Sequence, residues 1–360
     1  MDAQAPREGA GDAGDAATMT GTDTAPVRPG EELNVEALRA YLRDELGADS
    51  LEITQFPGGH SNLTYLLNMN GRELVLRRAP MGPVAPKAHD MIREYHVLEK
   101  VHPRFPAAPK VMLLCEDAKV LGVPFYLMER RKGVILRRDV PQEYAGMDDL
   151  GEKASRALVD GLAELHSVDI VESGLIGIGK PEGFLSRQVE GWASRWEGSK
   201  VEKLPELERI IEYLRETMPE AQAPTIVHND YKLDNVMLSP DDPGSIVAVL
   251  DWEMTTVGDP LVDLGLTLCY WQQRGEPFGA YGGPGWFSRE QFIARYAEKT
   301  GRNLSRVAWY EVLGAFKLAV ILQQIFYRYH KGQTQDPRFA KLDRQVKAIA
   351  NMALDRMAAS

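Results

Sequence analysis

The chain has 360 residues, of which 44% are hydrophobic and 26% charged, proportions that are typical of a globular protein and argue against collagen-like and disordered classes. Its apolar runs are far shorter than the ~20 residues of a membrane helix, so we expect no membrane span. The formal net charge of −10 argues against a nucleic-acid partner. Two cysteines, Cys115 and Cys269, cannot build a disulfide framework, and the N-terminus lacks the pattern of a secretion signal. We therefore expect a cytoplasmic protein.

The first 130 residues divide into a tail and a small sheet. Residues 1–30 are rich in Ala, Gly, Asp and Thr without an apolar period, which predicts a disordered tail. Residues 31–130 begin with a helical pattern that Asn34 caps, and Asn70-Gly71 between two apolar runs predicts a β-hairpin. The predicted strands and the following helix are 51–56, 63–69, 73–78, 88–101 (the helix), 111–114 and 124–128. These patterns predict a small antiparallel sheet carrying one helix.

Residues 131–360 are mainly helical in pattern. The predicted helices are 154–166, 184–196, 204–217, 289–299, 306–329 and 339–357. One segment interrupts them: Ile226–Leu238, followed by Ile246–Leu250, where polar residues alternate with short apolar runs. Polar groups that a loop displays from a rigid scaffold are functionally informative, so this segment is where we expect the chemistry.

The segment has the spacing His228-x-Asp230-x4-Asn235, with Lys232 inside it and Asp251 sixteen residues after Asn235. Phosphoryl transfer needs a carboxylate that accepts or orients the proton of the substrate hydroxyl, a cation near the phosphoryl group, and oxygen ligands for Mg²⁺. Asp230 suits the first role and Lys232 the second. Asn235 and Asp251 suit the third.

At these residues the chain resembles the aminoglycoside phosphotransferase-like family, the small-molecule branch of the protein-kinase-like fold. The matching residues are His228, Asp230, Lys232 and Asn235, then Leu250-Asp-Trp-Glu253, then Gly258-Asp-Pro-Leu-Val-Asp263-Leu-Gly265. The resemblance implies an α+β bilobal fold with a nucleotide-binding lobe at 31–130. It also implies a helical lobe at 131–360 that holds the catalytic loop and the acceptor site. It further implies ATP and Mg²⁺ as cofactors, with Asp230 as the catalytic base and Asn235 and Asp251 as the metal ligands. In this fold the histidine of the loop usually braces it by hydrogen bonding, and we favour that interpretation of His228 over a direct catalytic one.

A glycine turn between the first two strands resembles the loop with which this family covers the phosphates. Its residues are Gly58, Gly59, Ser61 and Asn62. Backbone N–H groups of such a loop can contact phosphate oxygens, although a glycine turn by itself is not specific.

The third strand carries no lysine where kinases place one. Its cations are Arg77 and Arg78, and strand alternation favours Arg77 with Glu94 of the following helix as its partner. An arginine keeps the charge, but its reach differs from that of lysine. Met128 and Glu129 resemble the crossing between the lobes, where backbone groups would bind adenine.

The nature of the acceptor follows from two further features. Gly258 comes only seven positions after Asp251, which leaves no room for the long activation loop of a protein kinase, so we expect a small-molecule hydroxyl acceptor. Between residues 260 and 335, nine basic residues stand against five acidic ones, which favours an anionic acceptor over a polycationic aminoglycoside. The basic residues are Arg274, Arg289, Arg295, Lys299, Arg302, Arg306, Lys317, Arg328 and Lys331.

Several phrases also resemble the kinase-like domain fused to some acyl-CoA dehydrogenases, among them residues 58–65, 75–80, 181–184 and 332–334. That branch implies a hydroxylated acyl-CoA as acceptor. The alternatives are an aminoglycoside or other antibiotic kinase, and a nucleotide-binding module with decayed catalysis, which only the arginine in place of the strand-three lysine favours.

Overall fold

The computed structural model describes residues 23–57, 62–80, 90–137, 139–271 and 284–358. The N-terminal lobe is a five-stranded antiparallel sheet in the order β1-β2-β3-β5-β4. Its elements are α1 (Val35–Leu46), β1 (Glu52–Gln55), β2 (Leu63–Met69), β3 (Arg72–Arg78), α2 (Met91–Val101), β4 (Val111–Cys115), α3 (Ala118–Leu121) and β5 (Phe125–Glu129). The predicted antiparallel sheet is confirmed.

Local sequence signals explain the ends of these elements. The Asn34 side chain accepts a hydrogen bond from the backbone N–H of Ala37 and so caps α1. Asn70 and Gly71 both have positive φ angles, 51° and 78°, which a two-residue hairpin turn of type I′ requires, and they join β2 to β3 as predicted. Ala25 pairs with Gln55 of β1, so residues 23–30, which the sequence assigned to the tail, run beside the sheet.

The two faces of this sheet bury different cores. Leu74 and Leu76 of β3 point toward α1, in a core that belongs to the N-terminal lobe alone. Val75 and Tyr126 point to the other face, where they join α2 and a core that continues into the C-terminal lobe. Alternation along β3 therefore puts Arg77 on the face toward α2 and Arg78 on the face toward α1.

The C-terminal lobe is helical with two small antiparallel sheets. Its helices are α4 (Leu150–Leu165), α5 (Phe184–Ser199), α6 (Pro205–Glu216), α7 (Leu261–Tyr270), α8 (Arg289–Thr300), α9 (Val307–His330) and α10 (Leu342–Ala358). The short strands are β6 (Val134–Ile135), β7 (Thr225–Val227), β8 (Val236–Leu238), β9 (Ile246–Val249) and β10 (Thr256–Gly258). The bilobal α+β prediction is confirmed. No helix in the part of the chain described above is both long enough and apolar enough to cross a membrane.

The small sheets hold the polar segment in place. β7 pairs with β10, and β8 pairs with both β6 and β9, so the loop after β7 and the residues after β9 lie side by side. Behind them, α7 packs closely on α9. The helices approach so closely at Gly265 that a Cβ atom there would overlap the backbone of Tyr310. This close approach brings α9 under the loop that follows β7.

Candidate active site

The loop after β7 is anchored by a buried carboxylate. Asp263 of α7 accepts hydrogen bonds from the backbone N–H groups of His228 (2.5 Å) and Asn229 (2.6 Å). His166 Nε2 lies 3.3 Å from the same carboxylate, and its Nδ1 lies 2.7 Å from the hydroxyl of Tyr296. Burial would raise the pKa of Asp263, but hydrogen bonds from the His166 side chain and from the backbone N–H of His228 lower it below its usual value. Asp263 thus remains ionised and fixes the two residues before Asp230.

His228 braces the loop. Its ring is fully buried and stacks edge-on against Trp252. Nε2 lies 3.0 Å from the carbonyl oxygen of Leu250, and the backbone N–H of Asp230 points to Nδ1 at 3.3 Å. These contacts fit a neutral ring that donates from Nε2 and accepts at Nδ1, and burial lowers the pKa of His228 accordingly. The ring ties the Asp230 loop to the residue before Asp251.

Three donors surround the Asp230 carboxylate. Lys232 Nζ lies 2.9 and 3.0 Å from its two oxygens, Asn235 Nδ2 lies 2.8 Å from Oδ2, and the hydroxyl of Tyr270 lies 3.1 Å from Oδ1. Burial and the nearby charge of Asp230 raise the pKa of Tyr270 well above its usual value, so the hydroxyl is protonated and donates. The carboxylate is therefore held in one orientation while part of it stays exposed.

Asn235 and Asp251 supply the oxygens suited to a divalent cation. The backbone N–H of Leu250 donates to the carbonyl of Asn235 at 2.8 Å, which brings the two segments together. The amide nitrogen of Asn235 is used by Asp230, so its side-chain oxygen is the atom left for a ligand. Asp251 adopts a left-handed backbone conformation (φ 66°, ψ 67°), a strained arrangement that is concentrated at functional sites. One amide and one carboxylate oxygen fit Mg²⁺, which takes one or two carboxylates and completes its shell with phosphate and water.

Arg77 connects the two lobes beside this carboxylate. Its Nη2 lies 3.3 Å from Glu94 Oε1 and 3.3 Å from Asp251 Oδ1. Burial alone would lower the pKa of Arg77, but these carboxylates raise it, so the guanidinium is charged. Burial raises the pKa of Glu94 to about 7 in spite of Arg77. Arg78 lies on the other face and donates to the hydroxyl of Tyr65, so the structure pairs Arg77 with Glu94, as strand alternation predicted.

The other residues of the N-terminal lobe that the sequence assigned to nucleotide binding do not contact Asp230 in the part of the chain that the structure describes. Asn62 donates to Glu253 Oε2 at 2.8 Å, which places the start of β2 above the segment after Asp251. Met128 is buried in the core, and the amide N–H of Glu129 is already used by the carbonyl of Lys110 (2.9 Å), so it is not free for a nucleotide. The predicted phosphate-loop residues Gly58, Gly59 and Ser61 lie outside the described residues.

A cavity of about 440 Å³ opens beside Asn229, the residue before Asp230. Its walls come from the segment before α5, from α5 itself, from α9 and from residues 254–256. Four basic side chains line it: Lys180, Arg187, Arg195 and Lys317. A basic cavity therefore lies next to the loop that carries Asp230, and most of its lining residues belong to the α5 region.

The basic residues counted between 260 and 335 are mostly engaged elsewhere. Arg289 pairs with Glu311, Arg295 pairs with Asp160 at 2.5 Å, and Arg302 and Arg306 donate to backbone carbonyls. Arg274 lies outside the described residues. Of the eight that the structure describes, only Lys317 lines the cavity next to Asn229.

The sequence assigned no individual role to two residues of the site. Lys317 was only one of the nine basic residues in the charge count, yet it is buried, with Nζ 2.8 Å from the carbonyl oxygen of Asn229. Asp263 was recognised only as part of a motif, not as the anchor of the loop. A lysine and an aspartate inside otherwise apolar helical runs are the signal that could have found them, because unpaired charges are rarely buried.

We expect Asp263→Asn to destabilise the fold by about 3 kcal/mol, because the amide would turn a donor toward backbone N–H groups that now meet a carboxylate. Urea unfolding at pH 7 measures this loss. The exposed Asp241→Asn is the matched control and should unfold as the wild type does. Since the folded-state pKa of Asp263 is lowered, its contribution should be lost as the pH falls through that lowered value, and equal stabilities of the two variants would refute the anchoring role.

Comparison with known proteins agrees with this geometry. A model of the phosphotransferase enzyme family matches residues 52–310. Acyl-CoA dehydrogenase family member 11 of rat is 34% identical over 349 residues, which cover 92% of this chain and 44% of that protein. Acyl-CoA dehydrogenase family member 10 of mouse is 31% identical over 348 residues, covering 92% of this chain and 32% of that protein. The chain therefore spans less than half the length of these curated relatives.

Solved structures give the same assignment. A Ralstonia eutropha protein, named as a candidate aminoglycoside phosphotransferase, superposes with a TM-score of 0.79 at 30% identity, covering 91% of this chain and 99% of that one. A ternary complex of the aminoglycoside phosphotransferase APH(4)-Ia with AMP-PNP and hygromycin B has a TM-score of 0.58 at 17% identity, covering 90% and 100%, and so shares the fold. The family match, these neighbours and the residues around Asp230 agree with the motif-based prediction. The chain belongs to the phosphotransferase enzyme family, in which it is similar to a region of acyl-CoA dehydrogenase family members 10 and 11.

Proposed function

We propose that this enzyme transfers the γ-phosphoryl group of ATP to a hydroxyl group of a small, anionic, acyl-CoA-like molecule. The observation that carries the proposal is the Asp230 carboxylate, which three donors hold beside the oxygens of Asn235 and Asp251. In the transfer, the bond between the γ-phosphorus and its bridging oxygen breaks and a bond to the acceptor oxygen forms. The hydroxyl proton passes to Asp230, and ADP leaves.

Each residue of the chain has a separate task in this reaction. Asp230 orients the hydroxyl and accepts its proton, while Lys232, next to it, provides positive charge toward the transferred group. Mg²⁺, when bound, neutralises phosphate charge. Asn235 and Asp251 would hold the ion, and Arg77 would face the phosphates from the N-terminal lobe, where Glu94 keeps its guanidinium in place.

Two observations support an anionic, acyl-CoA-like acceptor: the positive charge of the cavity beside Asn229 and the names of the related proteins. A polycationic aminoglycoside would meet four basic side chains in the cavity beside Asn229, and like charges that are not paired are costly. The relatives named as acyl-CoA dehydrogenase family members favour an acyl-CoA-like acceptor over an antibiotic. A decayed nucleotide-binding module is disfavoured because the base, the lysine and the oxygen ligands lie together.

We expect product formation from Mg–ATP and a set of hydroxyacyl-CoAs that differ in the position of the hydroxyl, measured as phosphorylated acyl-CoA by mass spectrometry and as acceptor-dependent ADP release. Butyryl-CoA, which lacks the hydroxyl, is the matched control and should give neither product. Kanamycin should give no phosphorylated product. Phosphorylation of kanamycin but of no acyl-CoA would replace the proposal with an antibiotic kinase, and no binding of Mg–ATP at saturating concentration would favour the decayed module.

A further inference from the structure

The cavity beside Asn229 carries an excess of positive charge. No Asp or Glu side chain of the described residues lines it, and none forms an ion pair with Lys180, Arg187, Arg195 or Lys317. The guanidinium of Arg187 donates to the backbone carbonyls of Lys180 and Glu182, which carry no net charge. This contrasts with Arg289 and Arg295, each of which contacts a carboxylate. Cations without counter-ions around an open cavity provide a site for an anion.

Two of these basic side chains contact the ring of the same tryptophan, Trp192. Trp192 of α5 is buried, and its ring lies under the guanidinium of Arg195 at 4.6 Å and near the ammonium of Lys317 at 5.7 Å. Cation–π contacts of this kind fix the direction of a charged side chain without neutralising it. Phe184 and Met254 also line the cavity, so it offers apolar surface next to the charge.

Lys317 links this cavity to the catalytic loop. Its Nζ donates to the backbone carbonyl of Asn229 at 2.8 Å. Asn229 has a positive φ of 68°, and its side chain donates to the carbonyl of Met254 at 2.9 Å, so the residue is held on both sides. The next residue is Asp230. An anion that contacts Lys317 therefore lies close to Asn229, the residue that precedes the proposed base Asp230.

We propose that this cavity is the subsite for an anionic group of the acceptor, either phosphate or carboxylate, and that Arg187, Arg195 and Lys317 determine the specificity for it. The inference rests on the proposed phosphotransfer, because it names the part of the acceptor that the enzyme recognises. The apolar part of the acceptor lies against Trp192, Phe184 and Met254. The hydroxyl extends past Asn229 toward Asp230.

Binding is tested apart from turnover, with the nucleotide site filled by Mg–AMP-PNP. Calorimetry measures the Kd of 3-hydroxybutyryl-CoA, of its pantetheine thioester without phosphates, and of free 3-hydroxybutyrate for the wild type and for Arg187→Gln/Arg195→Gln. We expect the double variant to weaken binding of the anionic probe at least tenfold and to leave the Kd of Mg–AMP-PNP unchanged. Arg209→Gln, an exposed charge on α6, is the matched control and should bind as the wild type does.

The probes separate the sources of the anion. Loss of affinity only for the CoA thioester would assign phosphate, and loss for free hydroxybutyrate would assign carboxylate. An unchanged Kd for every anionic probe in the double variant, or no binding of any of them by the wild type, would overturn the subsite. If the anionic probes bind through these arginines but no hydroxyl compound is phosphorylated, the subsite stands and the proposed reaction fails.

The pH dependence gives a second readout that needs no variant. Burial lowers the pKa of Lys317 to about 8, with Asp230 and Asp263 opposing the shift and Lys232 and Arg195 adding to it. Because only the protonated ammonium attracts an anion, the affinity of the wild type for 3-hydroxybutyryl-CoA should fall as the pH rises from 7 to 9. The same affinity in Lys317→Met should be weaker and less dependent on pH. A wild-type affinity that is constant over this range would contradict a contact between Lys317 and the anion.

Discussion

Replacing Asp230 with asparagine is expected to lower kcat by about a thousandfold while Mg–nucleotide binding is nearly unchanged, because a general base typically contributes 10²–10⁴ to the rate. The amide has the shape of the carboxylate but cannot accept the hydroxyl proton. It also turns a donor toward one of the three groups that now donate to Asp230, which are Lys232, Asn235 and Tyr270. Single-turnover measurements of phosphorylated acceptor, together with calorimetry of nucleotide binding, separate the two effects.

Asp234→Asn is the matched control for this prediction, since Asp234 is exposed in the same loop and should keep wild-type turnover. Thermal unfolding of both variants checks that the loop is intact. Full turnover by the Asp230 variant would remove this residue from the mechanism. A loss of nucleotide binding equal to the loss of turnover would instead assign Asp230 to binding.

The second large effect is expected at Asp251. Asp251→Asn should weaken Mg²⁺-dependent ATP binding by about a hundredfold, because even residues that only hold the ligands of a metal in place contribute about 10–100-fold to its affinity. Asparagine tolerates the left-handed backbone conformation of this position, so the variant removes charge without straining the chain. The measurement is the Kd of ATP with Mg²⁺ and with EDTA.

The two conditions distinguish a metal ligand from a structural residue. Binding of ATP in EDTA should change little in the Asp251 variant, since Glu94 still holds Arg77. The exposed Asp241→Asn should match the wild type in both conditions. If the affinity for Mg–ATP is the same in the wild type and in Asp251→Asn, Asp251 does not hold the ion.

Most elements were predictable because their signals are local. The hairpin at Asn70-Gly71 depends on two residues that tolerate positive φ, and α1 begins at a residue whose own side chain caps it. The amphipathic helices α5, α6 and α8 have one apolar face, and their predicted bounds differ from the observed ones by at most three residues. Helix α7 was missed because nine of its ten residues are buried, so it has no polar face to give a period.

The motif predicted that Asp230, Lys232, Asn235 and Asp251 lie near one another, since the loop after β7 and a short hairpin bring them together over a small sequence distance. The choice between Arg77 and Arg78 also depended on a local rule, the alternation of a strand. The ion-pair partners of the charged residues, in contrast, could not be predicted, because a count of charges along the sequence does not say which of them come into contact. Arg289 and Arg295 appeared to belong to the acceptor site, but each contacts a carboxylate distant in sequence.

Spacing and periodicity along the chain predicted most of the helices, the small sheet and the polar residues around Asp230, while the resemblance of its motifs implied the family and the two-lobed fold. The contacts of Asp263 with the loop and of Lys317 with Asn229 appear only in the folded chain, because both arise from the close packing of α7 and α9. The fold also sets where the positive charge lies. Residues of the α5 region, more than thirty positions before Asp230, meet α9 across the lobe and form the basic cavity that no segment of the sequence contains by itself.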